Sequence, residues 1–349
     1  NEMANMLAAE YKHAFSSPKQ SAIVADPIAF FNHEGSGDGL FDISIDVEEV
    51  RAALKSFKAG SAPGPDGVPT DLLIECVDEL APALAYLYQK SFDTGKIPEA
   101  LKISKIIPLH KGKSRHQAQN YRPISLTSHL AKGMEKVFKN RLVAYLEARN
   151  LLNENQHGFR SQRSTFSQLL RHVEETISRL EEGGLVDVVY LDFARAFDKV
   201  DHGILLSRIR SLNINGKIGV WIHRFLTGRK QYVSVGGERS NLSEIVSGVP
   251  QGTVLGPILF LILLTTIDMN VNFSFTSSFA DDTKLASTII NAIDAQNFQR
   301  DLDSVYKWAE DSNMRFNGDK FQLLRYGQDE HLKELTSYTD CNGNSISES

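Results

Sequence analysis

Two short stretches of the sequence place carboxylates next to apolar, strand-like runs. Asp192 lies at the end of the β-rich run at 185–193, and Asp281 and Asp282 are adjacent acids in SFADDTKLAS. Adjacent like charges beside buried strands are unfavourable unless a cation neutralises them, so this acidic pair is either a solvated turn or a cation site. If both stretches end neighbouring strands, their oxygens suit two Mg²⁺ ions that assist phosphoryl transfer.

A second chemical feature is the basic stretch from residue 96 to residue 115. The net charge of −5 argues weakly against nucleic-acid binding when it is considered alone. Against one acid, Glu99, this stretch nevertheless carries six basic residues: Lys96, Lys102, Lys105, Lys111, Lys113 and Arg115. Because salt screens charges beyond about 10 Å, a local basic face can bind phosphates even on an acidic protein. A solvated helix face is the alternative interpretation.

Composition limits the class of protein. With 349 residues and 42% hydrophobic content, the chain can bury a large core and is expected to divide into two subdomains. It has no apolar run of about 18 residues, so no membrane span is expected. Cys76 and Cys341 lie far apart and outside any C-x-x-C pattern, which favours an intracellular protein without a disulfide framework or zinc site. Because the chain does not begin with Met, we expect a fragment of a longer reading frame.

Apolar periodicity and turn residues predict a mixed α+β protein. Residues 1–45 read as a helical lead-in followed by a Gly-rich loop, and the Pro- and Gly-rich stretch 61–69 reads as a rigid loop. Helices are predicted at 70–92, 129–151, 165–180 and 296–314, with another opening at Gly256. Strands are predicted at 103–110 and 185–193, a hairpin begins at 231–237, and Asp281 is expected at the tip of another hairpin.

Seven stretches, in this order, resemble the motifs of the reverse transcriptase domain of non-LTR (LINE-type, jockey-like) retrotransposons. SAPGPDGVPTDLL and YRPISLTSHLAKGMEKVFKNRL resemble fingers motifs, and NQHGFRSQRST resembles the segment between fingers and palm. YLDFARAFDKVDH, SGVPQGTVLGPILF and FADDTKLA resemble polymerase motifs A, B and C, and VYKWAEDSNMRFNGDKFQLLRYG resembles motif D and the start of the next. The resemblance implies a right-hand polymerase fold with fingers, an antiparallel palm sheet, and an absent or incomplete thumb.

The same resemblance implies a division of the chain into segments. Residues 1–60 would form an N-terminal helical extension and loop, 61–184 the fingers, and 185–330 the palm, with a hairpin at 226–248 near the fingers. Residues 331–349 would begin a truncated palm–thumb junction.

The resemblance also assigns catalytic roles. Asp192 and Asp281 match the two metal ligands, Asp282 matches the supporting acid of motif C, and the carbonyl of Phe193 would supply another oxygen. Lys320 matches a lysine that can act as the general acid for the leaving pyrophosphate. A solvated surface lysine is the alternative for Lys320.

Nucleotide-binding roles are implied for residues outside the acidic motifs. Arg122 matches the fingers arginine that grips the triphosphate, for which a bidentate donor is suited. Lys105 and Lys111 are further candidates for that contact, and a surface ion pair is the alternative for Arg122. Phe197 matches the aromatic residue that excludes a 2′-hydroxyl beneath the incoming sugar, and its alternative is a core aromatic.

Gln251 and Gly252 match the motif B turn, where glycine permits close approach of the backbone to nucleotide and template.

The implied function is RNA-directed DNA polymerisation in target-primed copying of a retrotransposon. It would use two Mg²⁺ ions, with Mn²⁺ as a possible substitute, an RNA template, a DNA primer or target DNA, and deoxynucleoside triphosphates. An endonuclease domain would precede this region in the full-length protein. Its location would be intracellular, in a cytoplasmic ribonucleoprotein and in the nucleus at the integration site.

Two other readings remain open. A decayed copy that folds but at most binds RNA would fit the departure LILLTTID, where the family commonly has a Tyr and an Asn-Asp pair, and the truncation at both ends. An RNA-dependent RNA polymerase shares the Asp pattern, although the bulky Phe197 argues against it.

Overall fold

The computed structural model describes residues 1–32, 38–112 and 114–349. These form two compact units, the first of Asn1–Arg149 with Phe197–Ile262 and the second of Asn150–Ala196 with Leu263–Ser349. Part of the predicted Gly-rich loop, 33–37, and Lys113 of the basic stretch lie outside the described residues. The boundaries inferred for fingers and palm stay predictions.

The secondary structure follows the predicted mixed α and β content. The helices are α1 Glu2–Lys12, α2 Pro27–Phe31, α3 Val47–Lys55, α4 Thr70–Glu75, α5 Val77–Thr94, α6 His129–Ala148, α7 Thr165–Glu181, α8 Ala196–Lys199, α9 His202–Ser211, α10 Gly216–Leu226, α11 Gly256–Leu264, α12 Ala292–Asp311 and α13 Glu330–Leu335. The strands are β1 Ile103–His110, β2 Tyr121–Thr127, β3 Leu185–Leu191, β4 Arg229–Val235, β5 Glu238–Arg239, β6 Ser243–Ile245, β7 Phe275–Phe279, β8 Asp282–Ile289 and β9 Gln322–Tyr326. The helix predicted at 70–92 is present as α4 and α5, divided at Cys76. No helix of the described residues is long and apolar enough to cross a bilayer.

The first unit contains a mixed sheet with strand order β2-β1-β4-β5, and β6 also pairs with β4. The hairpin β1–β2 is antiparallel, and β1 runs parallel to β4. Because successive strand residues face opposite sides, Ile106 points inward to a core of Leu7, Tyr11 and Val233. A helical core lies in the same unit, where Trp221 stacks on Phe138 with ring centroids 3.7 Å apart.

The second unit is built on an antiparallel sheet with strand order β7-β8-β3-β9. On one sheet face, Val186 and Val188 of β3 pack with Leu180 of α7. Asp187 points to the other face, where it accepts a hydrogen bond from Tyr338, whose ring in turn contacts Phe298 of α12. Helices α7 and α12 therefore cover opposite faces, which leaves the strand ends available for chemistry.

The hairpin predicted around Asp281 joins β7 to β8. Phe279 and Asp282 are its last paired residues, so Ala280 and Asp281 form a two-residue turn. Ala280 has φ +57°, a left-handed conformation that costs a residue with a Cβ about 1–2 kcal/mol. Surrounding contacts must therefore hold this turn in place.

Candidate active site

The pairing of β3 with β8 brings two of the predicted acids together. Leu191, the last residue of β3, pairs with Thr283, so Asp192 and Asp282 lie one position beyond this pair on adjacent strands. Burial, and then the negative charge of Asp192, raise the pKa of Asp282, whereas Lys320 lowers it. The two carboxylates are therefore close enough to repel each other, and a cation between them would relieve the repulsion.

Lys320 contacts the acid at the end of β3. Its Nζ lies 2.6 Å from Asp192 Oδ2, and the N–H of Asn317 donates to the carbonyl of Asp192 at 2.8 Å. The Lys320 side chain is 63% exposed, so this ion pair adds little stability. It places an ammonium within reach of any group that binds at Asp192.

Both acids and Lys320 line one open cleft of about 690 Å³ in the second unit. The lining residues are Thr165, Gln168, Tyr190, Leu191, Asp192, Phe279, Asp282, Thr283, Lys284, Asp319, Lys320 and Gln322. Asp281 is not among them; it occupies the second position of the turn, and it is half-buried. Burial lowers the pKa of Lys284, at the floor of the cleft, to about 8.

The turn that carries Asp281 is held by a residue that sequence reasoning missed. Gln156 Oε1 accepts the N–H of Ala280 at 2.7 Å and that of Gly158 at 2.7 Å, and its Nε2 donates to the Ala280 carbonyl at 3.0 Å. A Cβ on Gly158 would lie 2.2 Å from the Ala280 nitrogen. Only glycine permits this approach. The pattern Gln-x-Gly at residues 156–158 was therefore the sequence signal that could have indicated a contact with the turn.

The oxygen donors of the cleft fit a hard divalent cation. Phe193 stacks on Phe316 at 4.2 Å and meets Trp308 edge-on at 6.2 Å, so its ring is committed to packing. Phe193 is not among the residues that line the cleft, and the metal contact of its carbonyl stays a prediction. Within the described ranges, no three His, Cys, Asp or Glu side chains form a group that could hold a metal. A cation beside Asp192 and Asp282 would therefore complete its shell with backbone, water or phosphate oxygens, as Mg²⁺ commonly does.

The predicted triphosphate contacts lie on the β1–β2 hairpin of the first unit. Leu109 pairs with Arg122 and Lys105 pairs with Leu126, so alternation places Arg122 and Lys105 on one face of the hairpin. Arg122 is exposed and Lys105 is half-buried. Lys111 lies beyond the end of β1 with an exposed side chain, and its N–H donates to the carbonyl of Asn120 at 2.8 Å.

Phe197 and the Gln251–Gly252 turn also belong to the first unit. The half-buried ring of Phe197 stacks on Phe260 of α11 with centroids 4.7 Å apart. Gly252 has φ +104°, and a Cβ there would lie 2.4 Å from the carbonyl oxygen of Ser125. Glycine is therefore required by the close approach to the backbone of β2, and the predicted approach of this turn to nucleotide and template stays a prediction.

A second missed residue, Glu135 of α6, fixes the turn before α11. Its fully buried Oε2 accepts the N–H of Val254 at 2.6 Å and that of Leu255 at 3.0 Å. Burial raises the pKa of Glu135, and these bonds together with the charge of the buried Arg229 lower it. No sequence pattern predicts this role, because a Glu within an amphipathic helix is usually solvated.

Comparison with known proteins shows the family to which the chain belongs. Residues 109–337 match the family described as "Reverse transcriptase (RNA-dependent DNA polymerase)". The chain is 32% identical over 288 residues to the "RNA-directed DNA polymerase from mobile element jockey" of Drosophila melanogaster, across 79% of this chain and 31% of that protein. It is 30% identical over 332 residues to the protein of the same description from Drosophila funebris, across 91% of this chain and 34% of that protein.

A third relative is the "Probable RNA-directed DNA polymerase from transposon BS" of Drosophila melanogaster, which is 29% identical over 286 residues, 79% of this chain and 31% of the relative. The chain thus spans about a third of the length of these relatives.

Proposed function

Since the chain belongs to the reverse transcriptase family, among those of jockey-like non-LTR retrotransposons, we propose that it adds deoxynucleotides to a primer 3′ end on an RNA template. The observation that carries this proposal is the meeting of Asp192 and Asp282 in one cleft, at the ends of adjacent antiparallel strands. The adjoining turn carries Asp281 as a third carboxylate.

The acids and one carbonyl would hold two Mg²⁺ ions, for which Mn²⁺ could substitute. The ligands would come from Asp192, Asp281, Asp282 and the carbonyl of Phe193. When bound, the metal lowers the pKa of the primer 3′-hydroxyl and neutralises charge on the reacting phosphate. The chain's own contribution is to hold these oxygens on rigid strand ends.

Lys320 supplies the proton that the leaving group needs. The primer 3′-hydroxyl loses its proton to solvent, and its oxygen forms a bond to the α-phosphorus while the bond from that phosphorus to the bridging oxygen of pyrophosphate breaks. Lys320 Nζ, now 2.6 Å from Asp192, holds a proton that it can give to the departing pyrophosphate oxygen. The Asp192 ion pair keeps this ammonium in the cleft before substrate binds.

Residues of the first unit would position the nucleotide. The hairpin face with Arg122 and Lys105 suits a triphosphate, and Lys111 extends the basic surface beyond the strand. Phe197 would exclude a 2′-hydroxyl, and the turn at Gln251 and Gly252 would contact the nucleotide and template.

In the same proposal, the fold is divided into fingers and palm as set out from the sequence. The full-length protein would carry an endonuclease upstream and would act in target-primed copying, as a ribonucleoprotein in the cytoplasm and at the integration site in the nucleus.

The segment that departs from the family pattern is integrated into the second unit. Thr266 Oγ1 accepts a hydrogen bond from Trp308 Nε1 at 3.0 Å. Asp268 accepts from Asn153 at 2.7 Å and from Thr276 at 3.0 Å. These bonds hold the departing segment in the fold, which a working enzyme and a decayed copy that folds both require, so the extension assay below separates the two.

The test is extension of a DNA primer annealed to an RNA template by the purified chain with Mg²⁺. We expect extension with deoxynucleotides, its loss on chelation by EDTA, and its return when Mg²⁺ is restored. Failure to extend with either Mg²⁺ or Mn²⁺, by a chain that binds the primer–template, would support the decayed copy. Faster extension with ribonucleotides would support an RNA-dependent RNA polymerase.

A further inference from the structure

A row of three side chains crosses the floor of the cleft beside the acids. Tyr190 of β3 pairs with Lys284 of β8 on one side and with Gln322 of β9 on the other. Because alternate strand residues share a face, Tyr190 lies on the same face as Asp192, and Lys284 on the same face as Asp282. Two residues of strand place this row about 6.6 Å from the acids. All three side chains line the same cleft as the acids.

Lys284 is an unusual residue for a cleft floor. It is only 5% exposed, and its Nζ lies 5.5 Å from the centre of the Tyr190 ring. Among the residues that the structure describes, no carboxylate lies within ion-pair distance of this ammonium. A buried cation without an anionic partner is costly, and this one is held where the cleft opens onto it.

Resting on the proposed function, we infer that this row binds the backbone of the primer strand immediately upstream of its 3′ end. The ammonium of Lys284 contacts a phosphodiester oxygen, the Tyr190 ring packs against the adjoining sugar, and the Gln322 amide donates to the same strand.

The geometry favours a primer phosphodiester over the nucleotide triphosphate. The 3′-hydroxyl must lie at the acids to react, so the preceding nucleotide falls about one row away along the sheet. A single unpaired ammonium matches a singly charged phosphodiester, whereas a triphosphate requires several cationic partners. Tyr190 beside the ammonium offers an aromatic face of the kind that packs on nucleic-acid sugars and bases.

The test combines the variant Lys284→Met with primers that carry one neutral methylphosphonate linkage. The linkage is placed first, second or fourth from the primer 3′ end, or at the matching position of the template. Dissociation constants are measured with chains that also carry Asp192→Asn, so that no turnover occurs. Single-turnover extension is measured with chains that keep Asp192. Lys307→Met is the matched control, because Lys307 is an exposed lysine of α12 that already pairs with Asp311.

With unmodified primer, we expect Lys284→Met to weaken binding about ten- to a hundredfold and to reduce the slope of log K against log salt by about 0.7–0.9. In the wild-type chain, one methylphosphonate near the 3′ end should cause a similar loss, and it should cause no further loss in Lys284→Met. Lys284→Arg should retain most of the affinity, and Lys307→Met should leave it unchanged.

Equal methylphosphonate penalties in the wild-type chain and Lys284→Met would overturn the inference, as would a penalty confined to the template. Because Lys284→Met removes a buried unpaired charge, its melting temperature should not fall, and a lowered melting temperature with lost binding would also contradict the assignment. The measurement of dissociation constants does not depend on catalysis. A chain that shows the primer-specific penalty but never extends would therefore contradict the proposed function alone.

Discussion

The side-chain amide of Gln156 holds the peptide groups of Ala280 from both sides, accepting its N–H at 2.7 Å and donating to its carbonyl at 3.0 Å. Ala280 has the left-handed φ of +57°, so this contact stabilises a conformation that the residue would otherwise avoid. The turn places Asp281 and begins the strand that carries Asp282. Gln156 is therefore a positioning residue for the candidate metal site.

Replacing Gln156 should test this relationship. Gln156→Ala leaves two buried N–H groups and one carbonyl without their partner, so we expect a loss of about 1–3 kcal/mol in the free energy of unfolding. We also expect extension to fall about tenfold or more, because the turn is released. Ala280→Gly, which suits a positive φ, should be neutral or slightly stabilising. The measurements are chemical denaturation and single-turnover extension, and unchanged extension in Gln156→Ala would remove the positioning role.

Glu135 should be a stability determinant of the first unit. Glu135→Ala leaves the N–H groups of Val254 and Leu255 unpaired and removes the negative charge near the buried Arg229, so a loss of about 2–5 kcal/mol is expected. Glu135→Gln keeps one acceptor oxygen and should cost less. Urea denaturation of both variants measures this difference, and an equal cost for Gln and Ala would show that the two hydrogen bonds are not what matters.

Substitution of Phe197 tests whether its ring selects the sugar of the nucleotide or only packs in the core. If its ring excludes the 2′-hydroxyl, Phe197→Val should raise ribonucleotide use relative to deoxynucleotide use by about a hundredfold. Phe260→Leu disturbs the same 4.7 Å ring stack and serves as the control. The measured quantity is the ratio of the two kcat/KM values beside a melting curve. A ratio that stays constant in both variants while Tm falls would assign Phe197 to the core.

The second unit should lose stability in mild acid through His172. Burial, and to a lesser extent the charge of Lys284, lower the pKa of His172 from 6.5 to about 4, and neither ring nitrogen has a hydrogen-bond partner within the described residues. Below pH 6.5 the unfolded chain binds a proton that the folded chain binds only near pH 4. Stability should therefore fall by about 1.4 kcal/mol per pH unit across that window.

Denaturation of His172→Leu at pH 7 and pH 5 checks this effect, because the variant should show a smaller difference between the two values than the wild-type chain. His223 of the first unit, whose pKa is also lowered to about 4, gives the matched variant His223→Leu. An unaltered pH dependence in His172→Leu would rule His172 out as the cause.

Local signals in the sequence predicted much of what positions the acids. An apolar run predicted β3 ending at Asp192, and strand-like stretches on both sides of the acidic pair predicted the hairpin. These features depend on residues close in sequence, where alternation and turn chemistry act directly. Other contacts join segments that are distant in sequence: Gln156 hydrogen-bonds Ala280, and Glu135 hydrogen-bonds the turn before α11. A single sequence carries no local pattern that would predict such pairs.

Helix α7 shows a second feature that apolar periodicity does not predict, namely which face of a helix is buried. Its apolar spacing predicted an amphipathic helix, and the helix is present, but its buried residues are His172 and Thr176. The residues of its apolar stripe are exposed: Phe166, Leu169, Leu170, Val173 and Ile177. Periodicity identifies a helix with one apolar face, but it does not determine which face meets the sheet.

The most direct measurement of the central claim is the rate of single deoxynucleotide addition by Asp192→Asn on an RNA template with Mg²⁺. Metal ligation contributes several kcal/mol to the transition state, so the account predicts a fall of about a thousandfold or more while affinity for primer–template is kept. Asp319→Asn, which alters another acid of the same cleft, should change the rate by less than about threefold. An Asp192→Asn chain that adds the nucleotide within tenfold of the wild-type rate would contradict the two-metal site.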